Sequence, residues 1–251
     1  MRPRRLAALL LLLLGAGIAR ADIGWEVVKT LPHDPHAFTQ GLFIADGKLY
    51  ESTGLVGQSE LRELRLEDAK LLRRQPIRSD LFGEGIAPWR DRIVSITWQS
   101  GLGFVWRRHD FRQLASFSYP GEGWGLTSDG QSLILSDGTA DLRFLDPETQ
   151  KETKRISVSW NGEPVRNLNE LEYADGAIYA NIWYSPMIAR IDPATGAVTD
   201  WINLSPLVAE NIGRDSGAVL NGIAWDPKSR LLYVTGKNWP HLYALRLREA
   251  P

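Results

Sequence analysis

The residues best suited to chemistry in this chain occur at matching places of a repeated segment. Each copy starts at a polar or aromatic residue, runs through apolar residues and a turn, and ends 14 residues later in the first four copies and 16 later in the fifth. The start positions are Gln40, Glu84, Trp124, Asn169 and Asn221. The end positions are Gly54, Trp98, Gly138, Trp183 and Lys237. Together they offer a carboxylate for proton transfer, an ammonium to stabilise negative charge, amides for hydrogen bonding and indoles that exclude water.

Glu84 is the candidate proton carrier. It lies between two glycines, at the start of its repeat rather than within a strand. A carboxylate in such a place is commonly solvated or bonded to backbone amides, and tryptophans in a sheet protein commonly pack between strands. Trp98, Trp124 and Trp183 all fall at the start or the end of a repeat, however, which favours a functional site. In such a site the indoles would displace water and raise the pKa of the Glu84 carboxyl.

Lys237 is the candidate cation. A lysine in a turn is ordinarily a surface residue, but this one shares the end position with Trp98 and Trp183. Its ammonium would stabilise an oxygen that gains negative charge during a reaction. The same charge would oppose a rise in the pKa of Glu84, and the sequence leaves open which effect is larger.

The period of the repeat predicts how these residues come together. The starts are separated by 44, 40, 45 and 52 residues. Five repeats of this size, each a series of turn-linked strands, are typical of a β-propeller. In such a ring, equivalent positions meet around one axis. We therefore expect an all-β, five-bladed propeller with the starts and ends of the repeats at one mouth.

The two ends of the chain are expected to close this ring. The first four repeats each continue into a fourth strand, at residues 71–77, 114–119, 152–158 and 198–204, whereas the fifth has none. Residues 25–31 alternate like a strand but precede the first repeat. We expect them to complete the last blade, which removes an open sheet edge.

Turn signals agree with the strand assignment. Three Asp-Gly pairs predict tight hairpins: Asp46-Gly47, Asp129-Gly130 and Asp175-Gly176. Pro147 and Pro193 each follow an aspartate in turns between third and fourth strands. Residues 205–217 break the strand rhythm and predict a loop or short helix over one face. No low-complexity linker divides the chain, so residues 22–251 are interpreted as one domain.

Residues 1–21 have the features of a secretory signal peptide. Three arginines precede an apolar run at residues 6–18, and Ala19-Arg20-Ala21 fits a cleavage site. The run is short for a membrane span, and an uncleaved N-terminal anchor is the alternative. We expect an exported protein, periplasmic or secreted, without membrane attachment after cleavage.

Composition excludes several classes of function. Without the four arginines of residues 1–21, 25 basic and 30 acidic residues remain, a net charge of −5. There is no basic block, so we expect no nucleic-acid partner. The chain has no cysteine, which excludes disulfides and zinc–thiolate sites. A monomer is expected, because a closed ring leaves no free sheet edge.

Familiar catalytic motifs are missing from the sequence. G-x-S-x-G, a P-loop, a dinucleotide-binding glycine motif and H-E-x-x-H are all absent. The four histidines are weak metal candidates: His33, His36, His109 and His241. His33 and His36 are close in sequence, but a proline lies between them and no third ligand is evident. We expect neither a metal nor another cofactor.

Six motifs occur in order along essentially the whole chain after residue 21. They are Pro32-His33-Asp34-Pro35-His36-Ala37-Phe38-Thr39-Gln40-Gly41-Leu42, Phe82-Gly83-Glu84-Gly85, Gly123-Trp124-Gly125-Leu126-Thr127, Leu168-Asn169-Glu170-Leu171-Glu172, Asn181-Ile182-Trp183 and Thr235-Gly236-Lys237. In these motifs the chain resembles the plant-type glutaminyl-peptide cyclotransferases and their bacterial relatives. That family has a five-bladed propeller and is unrelated to the zinc-dependent animal-type glutaminyl cyclases, so the resemblance implies an enzyme that does not depend on zinc.

The resemblance also implies an activity and a set of site residues. The activity is conversion of an N-terminal glutamine of a peptide or protein into pyroglutamate, with release of ammonia. Glu84 as general acid/base and Lys237 would be catalytic. The substrate-binding residues implied are Phe38, Gln40, Trp98, Trp124, Asn169 and Trp183. Three further residues lie near the same positions with a weaker claim: Glu122, Glu170 and Asn221.

Two other classes of function fit parts of the pattern. A non-catalytic propeller could bind peptide ends or saccharides on its aromatic face, because indoles also stack on sugars and the fold alone carries no activity. A metal-assisted hydrolase such as a lactonase would need more carboxylates around one ion. Gln40 and Trp124 occupy positions where such ligands would be required.

Overall fold

Five β-sheets surround a common axis in the computed structural model, which describes residues 22–211 and 217–248. The predicted signal peptide, residues 1–21, lies outside the described residues. Strand β1 (Gly24–Pro32) precedes the first sheet in the chain. The innermost strand of each sheet contacts the innermost strands of both neighbouring sheets. The described chain is therefore an all-β, five-bladed propeller, as predicted.

Each sheet is a four-stranded antiparallel blade. The first consists of β2 (Thr39–Ala45), β3 (Lys48–Thr53), β4 (Glu60–Arg65) and β5 (Leu71–Pro76). The second consists of β6 (Gly83–Trp89), β7 (Arg92–Thr97), β8 (Leu102–Arg107) and β9 (Gln113–Ser118). The third consists of β10 (Leu126–Ser128), β11 (Leu133–Ser136), β12 (Asp141–Leu145) and β13 (Glu152–Ser157). After a short hairpin, β14 (Ser159–Trp160) and β15 (Glu163–Pro164), the fourth consists of β16 (Leu168–Ala174), β17 (Ala177–Ile182), β18 (Met187–Ile191) and β19 (Val198–Asn203).

The fifth blade contains both ends of the described chain. It consists of β20 (Leu220–Asp226), β21 (Leu231–Gly236), β22 (His241–Arg248) and finally β1. β1 pairs antiparallel with β22 along its whole length, and Glu26 adds ion pairs to Arg246 and Arg248. The predicted closure of the ring is confirmed. The hairpin β14–β15 was not anticipated from the sequence.

The apolar core lies between blades rather than within one central mass. Each of the five buried clusters joins two neighbouring blades, because alternate side chains of a blade face the blade on either side. Phe43 of β2 and Ile86 of β6, for example, belong to one cluster, and Ala87 of β6 and Leu133 of β11 to the next. This packing holds the five inner strands at fixed angles around the axis.

Most inner strands are irregular where the repeats start. The register shifts between Thr39 and Gly41 in β2 and between Gly83 and Ile86 in β6, and equivalent shifts occur in β16 and β20. A β-bulge of this kind turns a side chain out of the strand's alternation. The bulges therefore direct the start residues towards one end of the axis instead of into the interblade core.

A single type of hydrogen bond brings the end of a repeat beside its start in four of the five blades. In four blades the amide of the end residue donates to the carbonyl two residues before the start: Gly54 to Phe38 (2.8 Å), Trp98 to Phe82 (3.1 Å), Trp183 to Asn167 (2.9 Å) and Lys237 to Val219 (2.9 Å). In the third blade Gly138 donates instead to Leu168 of the fourth blade (3.2 Å). Start and end residues are thus adjacent in space, as the shared spacing predicted.

The residue after the start is glycine in four of the five repeats, and in three of them, Gly41, Gly85 and Gly125, a Cβ would overlap the backbone of the next blade. A Cβ on Gly85 would lie 2.4 Å from the amide nitrogen of Leu126, and one on Gly125 would lie 2.0 Å from the carbonyl oxygen of Asn169. Both contacts are with the backbone of the next blade. Glycine therefore allows neighbouring inner strands to approach more closely than any other residue would permit.

Glu170 stands where the other repeats have glycine, and its side chain extends across the axis. Its two carboxyl oxygens accept hydrogen bonds from the amides of Leu42 in the first blade (3.1 Å) and Ile223 in the fifth (2.8 Å). The side chain is fully buried. Burial and the nearby Glu172 raise the pKa of Glu170 well above its usual value, although the two amide bonds oppose that rise.

Two of the three predicted Asp-Gly hairpins have the expected conformation. Both central residues are left-handed at Asp46-Gly47 and at Asp175-Gly176, as a type I′ turn requires. At Asp129 only the following glycine has a positive φ, and the carboxylate accepts hydrogen bonds from the amides of Gln131 and Ser132. That third turn is longer because the aspartate organises it through its side chain.

The stretch at residues 205–217 begins with a short helix, α1 (Ser205–Asn211), which confirms that part of the prediction. Residues 212–216 lie outside the described residues. Leu207 and Asn211 are buried, and Asn211 donates to the hydroxyl of Tyr243 at 2.7 Å. Within residues 22–211 and 217–248, no helix has the length and apolar character to cross a membrane.

Gly125→Ala is expected to lower the free energy of unfolding by about 3 kcal/mol, because its Cβ would overlap the backbone of the fourth blade. Thermal unfolding followed by circular dichroism measures the effect. Gly24→Ala is the control, since a Cβ there meets its nearest atom at an ordinary 3.6 Å. Equal melting temperatures for Gly125→Ala and the wild type would contradict the proposed strand approach.

Candidate active site

All eight residues predicted for the site line one cavity of about 240 Å³ at the mouth of the propeller. They are Phe38, Gln40, Glu84, Trp98, Trp124, Asn169, Trp183 and Lys237. Every blade contributes, so residues almost 200 positions apart in sequence meet. Four further residues of the described chain line the same cavity: Phe82, Tyr184, Gly217 and Val219.

Glu84 lies deep in the cavity, on the bulge of β6, with only 5% of its surface exposed. Gln40 donates a hydrogen bond from Nε2 to Glu84 Oε1 at 3.1 Å. Burial raises the pKa of the Glu84 carboxyl well above its usual value, and this effect exceeds the opposing attraction of Lys237. Glu122 contributes a further upward shift. The question that the sequence left open is thus answered in favour of burial.

Lys237 faces the same cavity from the end of the fifth repeat. It is 6% exposed, and its Nζ lies 4.7 Å from the centroid of the Phe38 ring, within the range of a cation–π contact. Burial lowers the pKa of the ammonium from its usual value, whereas the charge of Glu84 opposes that fall. The acid and the base are therefore shifted towards each other, which is typical of groups that exchange protons near neutral pH.

Two amide side chains lie beside this pair. Gln40 is oriented at both ends, because Asn221 Nδ2 donates to its Oε1 at 3.1 Å while its own Nε2 reaches Glu84. Asn169 is buried, yet its Oδ1 accepts no hydrogen bond from the described part of the chain. A buried acceptor without a partner is costly, so it is suited to receive an N–H group from a ligand.

Aromatic rings form the wall and the rim. Phe82 lies edge-on to Phe38 and to Trp98, with ring centroids 6.1 and 5.5 Å apart. Trp124 and Trp183 are perpendicular neighbours at 5.3 Å. Trp98 and Trp183 each keep 37% of their surface exposed, so the cavity has an aromatic entrance open to solvent.

Two of the end positions are glycines because rings pack over them. A Cβ on Gly54 would lie 2.5 Å from the Phe82 ring, and one on Gly138 would lie 2.7 Å from the Trp124 ring. The end positions thus divide into those that supply a functional side chain and those that make room for one.

The three weaker candidates have supporting positions. Asn221 holds Gln40, and Glu170 fills the axis below the cavity. Glu122 accepts hydrogen bonds from the indole nitrogens of Trp98 (2.8 Å) and Trp124 (2.9 Å). None of the three belongs to the cavity wall.

The sequence analysis missed four wall residues: Phe82, Tyr184, Gly217 and Val219. Phe82 and Val219 occupy the same place in their repeats as Phe38, two residues before the start, and this equivalence could have identified them. Tyr184 follows the end residue of the fourth repeat and has a left-handed backbone (φ 61°), which nothing in the sequence indicates. Its ring lies 4.6 Å from that of Trp183 and is largely exposed.

One of the histidines considered as metal ligands, His33, is engaged in hydrogen bonds at both ring nitrogens. His33 is buried, with Nδ1 2.8 Å from the carbonyl oxygen of Trp239 and Nε2 3.0 Å from Glu51. Burial lowers the pKa of His33, but the charge and hydrogen bond of Glu51 outweigh it, so the net shift is upward. Among residues 22–211 and 217–248, no group of three or more His, Cys, Asp or Glu side chains could hold a metal ion.

Glu84→Gln is expected to raise the melting temperature, and by more at pH 8 than at pH 5. Because the pKa of Glu84 is higher in the folded than in the unfolded chain, stability from this group is present at low pH and is lost as the pH rises towards the folded pKa. Glutamine is uncharged at both pH values. Differential scanning calorimetry measures the change, with Glu163→Gln on the exposed hairpin as control. A larger gain at pH 5 would contradict burial as the dominant influence.

Comparisons with known proteins agree with this architecture. A family model described as glutamine cyclotransferase matches residues 8–247. A glutaminyl-peptide cyclotransferase of Arabidopsis thaliana is 42% identical over 229 residues, which cover 90% of this chain and 72% of the plant protein. The crystal structure of Myxococcus xanthus glutaminyl cyclase has 38% identity and a TM-score of 0.85, covering 91% of this chain and 98% of that one. A more distant structure is the β-propeller domain of Cps50 (Swd1) from Myceliophteria thermophila. It is 9% identical, has a TM-score of 0.52 over 90% of this chain and all of that one, and shares the fold alone.

The family match extends over most of the sequence, and the identity to the plant relative is high. This chain therefore belongs to the glutamine cyclotransferase family.

Proposed function

We propose that this protein is a glutaminyl-peptide cyclotransferase that converts an N-terminal glutamine into pyroglutamate and releases ammonia, with Glu84 as the proton carrier. One observation carries the assignment of Glu84. In a chain of this family, a buried carboxyl with a raised pKa faces an ammonium in a cavity walled by aromatic rings. Proton transfer near neutral pH requires a carboxyl of that kind.

The reaction joins two groups of one residue. The free α-amine attacks the γ-carboxamide carbon, a five-membered lactam forms, and the C–N bond to the amide nitrogen breaks. Because both reactants belong to the same residue, the enzyme has only to hold a folded conformer, and orientation supplies much of the acceleration. The rings of Phe38, Trp98, Trp124 and Trp183 suit a compact folded glutamine and exclude water, which limits hydrolysis of the amide.

Glu84 moves one proton from the nucleophile to the leaving group. An α-amine has a pKa of about 7.7–8.0, so at neutral pH its ammonium form first loses one proton to solvent and becomes the nucleophile. The ionised Glu84 accepts a second proton from this neutral amine as it attacks, and the neutral carboxyl then donates that proton to the amide nitrogen, which departs as ammonia. Gln40 holds the carboxyl in place through its hydrogen bond to Oε1.

Lys237 and Asn169 act on the substrate's polar atoms. The ammonium of Lys237 stabilises the negative charge that develops on the γ-carbonyl oxygen in the tetrahedral intermediate, and the low-polarity surroundings strengthen that interaction. The unpartnered Oδ1 of Asn169 accepts a hydrogen bond from the substrate's amine or following peptide N–H. Only a chain terminus enters such a cavity, so internal glutamine does not react.

The residues of the cavity favour a cyclotransferase over a saccharide-binding protein or a metal-assisted hydrolase. A binding protein for saccharides would use the exposed indoles equally well, but it would have no need for a buried acid opposite a buried lysine. A metal-assisted hydrolase needs several ligands around one ion, whereas residues 22–211 and 217–248 contribute a single carboxylate, Glu84, to the cavity wall. We propose that the reaction does not depend on zinc.

Glu84→Gln is expected to reduce kcat by about 10²–10⁴-fold while leaving substrate affinity close to that of the wild type. Glutamine keeps the shape and the hydrogen bond to Gln40 but cannot carry the proton. Ammonia release from Gln-Ala measures turnover, and calorimetric titration at low temperature measures binding. Glu163→Gln on the exposed hairpin is the matched control. Turnover of Glu84→Gln near the wild-type rate would remove the assigned role.

The wild type is expected to release ammonia from Gln-Ala in the presence of EDTA and to leave N-acetyl-Gln-Ala unchanged. The acetyl group removes the nucleophilic amine, and chelation tests dependence on a metal. Mass spectrometry should show loss of 17 mass units as ammonia leaves. Binding of Gln-Ala without ammonia release would support a non-catalytic binding protein. Ammonia release that EDTA abolishes and added metal restores would support a metal-assisted hydrolase.

A further inference from the structure

We propose that Glu122 is a positioning residue: its carboxylate holds two indoles of the cavity wall and keeps a fixed negative charge near Glu84. This role rests on the function proposed above. Glu122 lies in the segment that connects β9 of the second blade to β10 of the third. It contributes no surface to the cavity, so it acts through its neighbours rather than on the substrate.

One oxygen of Glu122 joins two blades. Oε2 accepts hydrogen bonds from the indole N–H of Trp98 at 2.8 Å and of Trp124 at 2.9 Å. Trp98 follows β7 of the second blade, and Trp124 precedes β10 of the third. Oε1 accepts a third bond from Gln99 Nε2 at 3.1 Å. An indole N–H can only donate, so a shared acceptor sets the orientation of both rings together.

The three donors also keep Glu122 ionised. The hydrogen bond from Trp124 is the largest of the influences that lower the pKa of Glu122, and the bonds from Gln99 and Trp98 add to it. A carboxylate that accepts three N–H bonds remains negative over the neutral range. The site therefore has a permanent anion just outside its aromatic wall.

Among the residues that the structure describes, three ionisable side chains interact electrostatically with Glu84. Lys237 is positive and lowers the pKa of Glu84, whereas Glu122 is negative and raises it. Tyr119 is the third, and burial raises the pKa of its hydroxyl to about 12, so it stays neutral. The hydroxyl is also occupied by the backbone of Thr97, to which it donates and from which it accepts. Glu122 is thus the anion that offsets Lys237.

This arrangement has a chemical consequence for the proposed reaction. Lys237 is needed for the oxyanion, yet its charge makes Glu84 a weaker base. A second anion restores part of the proton affinity without entering the cavity. The alternative is that Glu122 only holds the rings, in which case its charge has no effect on Glu84.

The test compares Glu122→Gln with the wild type. Glutamine keeps an acceptor oxygen for the indoles and removes the charge. The titration of Glu84 is followed by infrared spectroscopy of its carboxyl band, identified by its absence in Glu84→Gln. We expect the midpoint in Glu122→Gln to fall by about 0.5 pH unit or more, because a negative neighbour is lost. The acid limb of the kcat/KM profile for Gln-Ala should move to lower pH by the same amount.

Two further variants separate charge from shape. Glu122→Asp keeps the charge but is too short for the same hydrogen bonds, so we expect a lower kcat/KM with the Glu84 midpoint of the wild type. Glu148→Gln is the matched control, since Glu148 also accepts an indole N–H, that of Trp89 at 3.0 Å, but lies in the β12–β13 turn outside the cavity wall. It should change neither readout.

An infrared midpoint that is unchanged in Glu122→Gln would overturn the proposal and leave Glu122 as a clamp for the rings. If Glu122→Gln does not fold, a shifted midpoint in Glu122→Asp would overturn it equally. The infrared titration needs no turnover. Absence of wild-type activity would therefore refute the proposed cyclisation without affecting this measurement.

Discussion

The close approach of the five inner strands is the constraint on which this structure depends. Neighbouring inner strands touch backbone to backbone, which only glycine at Gly85 and Gly125 permits. Glu170 then supplies, from one blade, the hydrogen bonds that two other blades need across the axis. A buried polar network of this kind is stable only when its members are satisfied. The narrow, filled axis leaves the mouth as the place where larger side chains can converge.

The chemistry follows from that narrowness. The β-bulge in β6 directs Glu84 into the cavity. Loss of water there raises the pKa of its carboxyl, although the nearby ammonium of Lys237 opposes the rise. The indole N–H groups of Trp98 and Trp124 need hydrogen-bond acceptors, and the carboxylate of Glu122 supplies one from outside the cavity wall. Burial, cation and anion together set the proton affinity of one carboxyl. Glu84 belongs to the second blade, Lys237 to the fifth and Glu122 to the segment between the second and third, so the site exists only in the assembled ring.

Much of the fold and the cavity could be predicted from the sequence because start and end residues recur at similar spacing, and in four blades one type of hydrogen bond brings them together in space. That spacing identified Lys237 as a partner of Glu84. Tyr184 was missed because its position depends on a single left-handed residue, and the hairpin at residues 159–164 because it interrupts the repeat. The balance of charges on Glu84 depends on solvent exclusion and distance, which spacing in a sequence does not encode.

The pairing of β1 with β22 also governs when the protein can finish folding. Glu26 and Arg246, which meet across these strands, are 220 residues apart. Closing a flexible loop of that length costs about 5 kcal/mol of entropy. The first strand to be synthesised must therefore wait, unpaired, for the last. If β1 or β22 is removed, the fifth blade has a free strand edge that can pair with other chains. Closure of the ring, and with it protection from aggregation, therefore requires both strands.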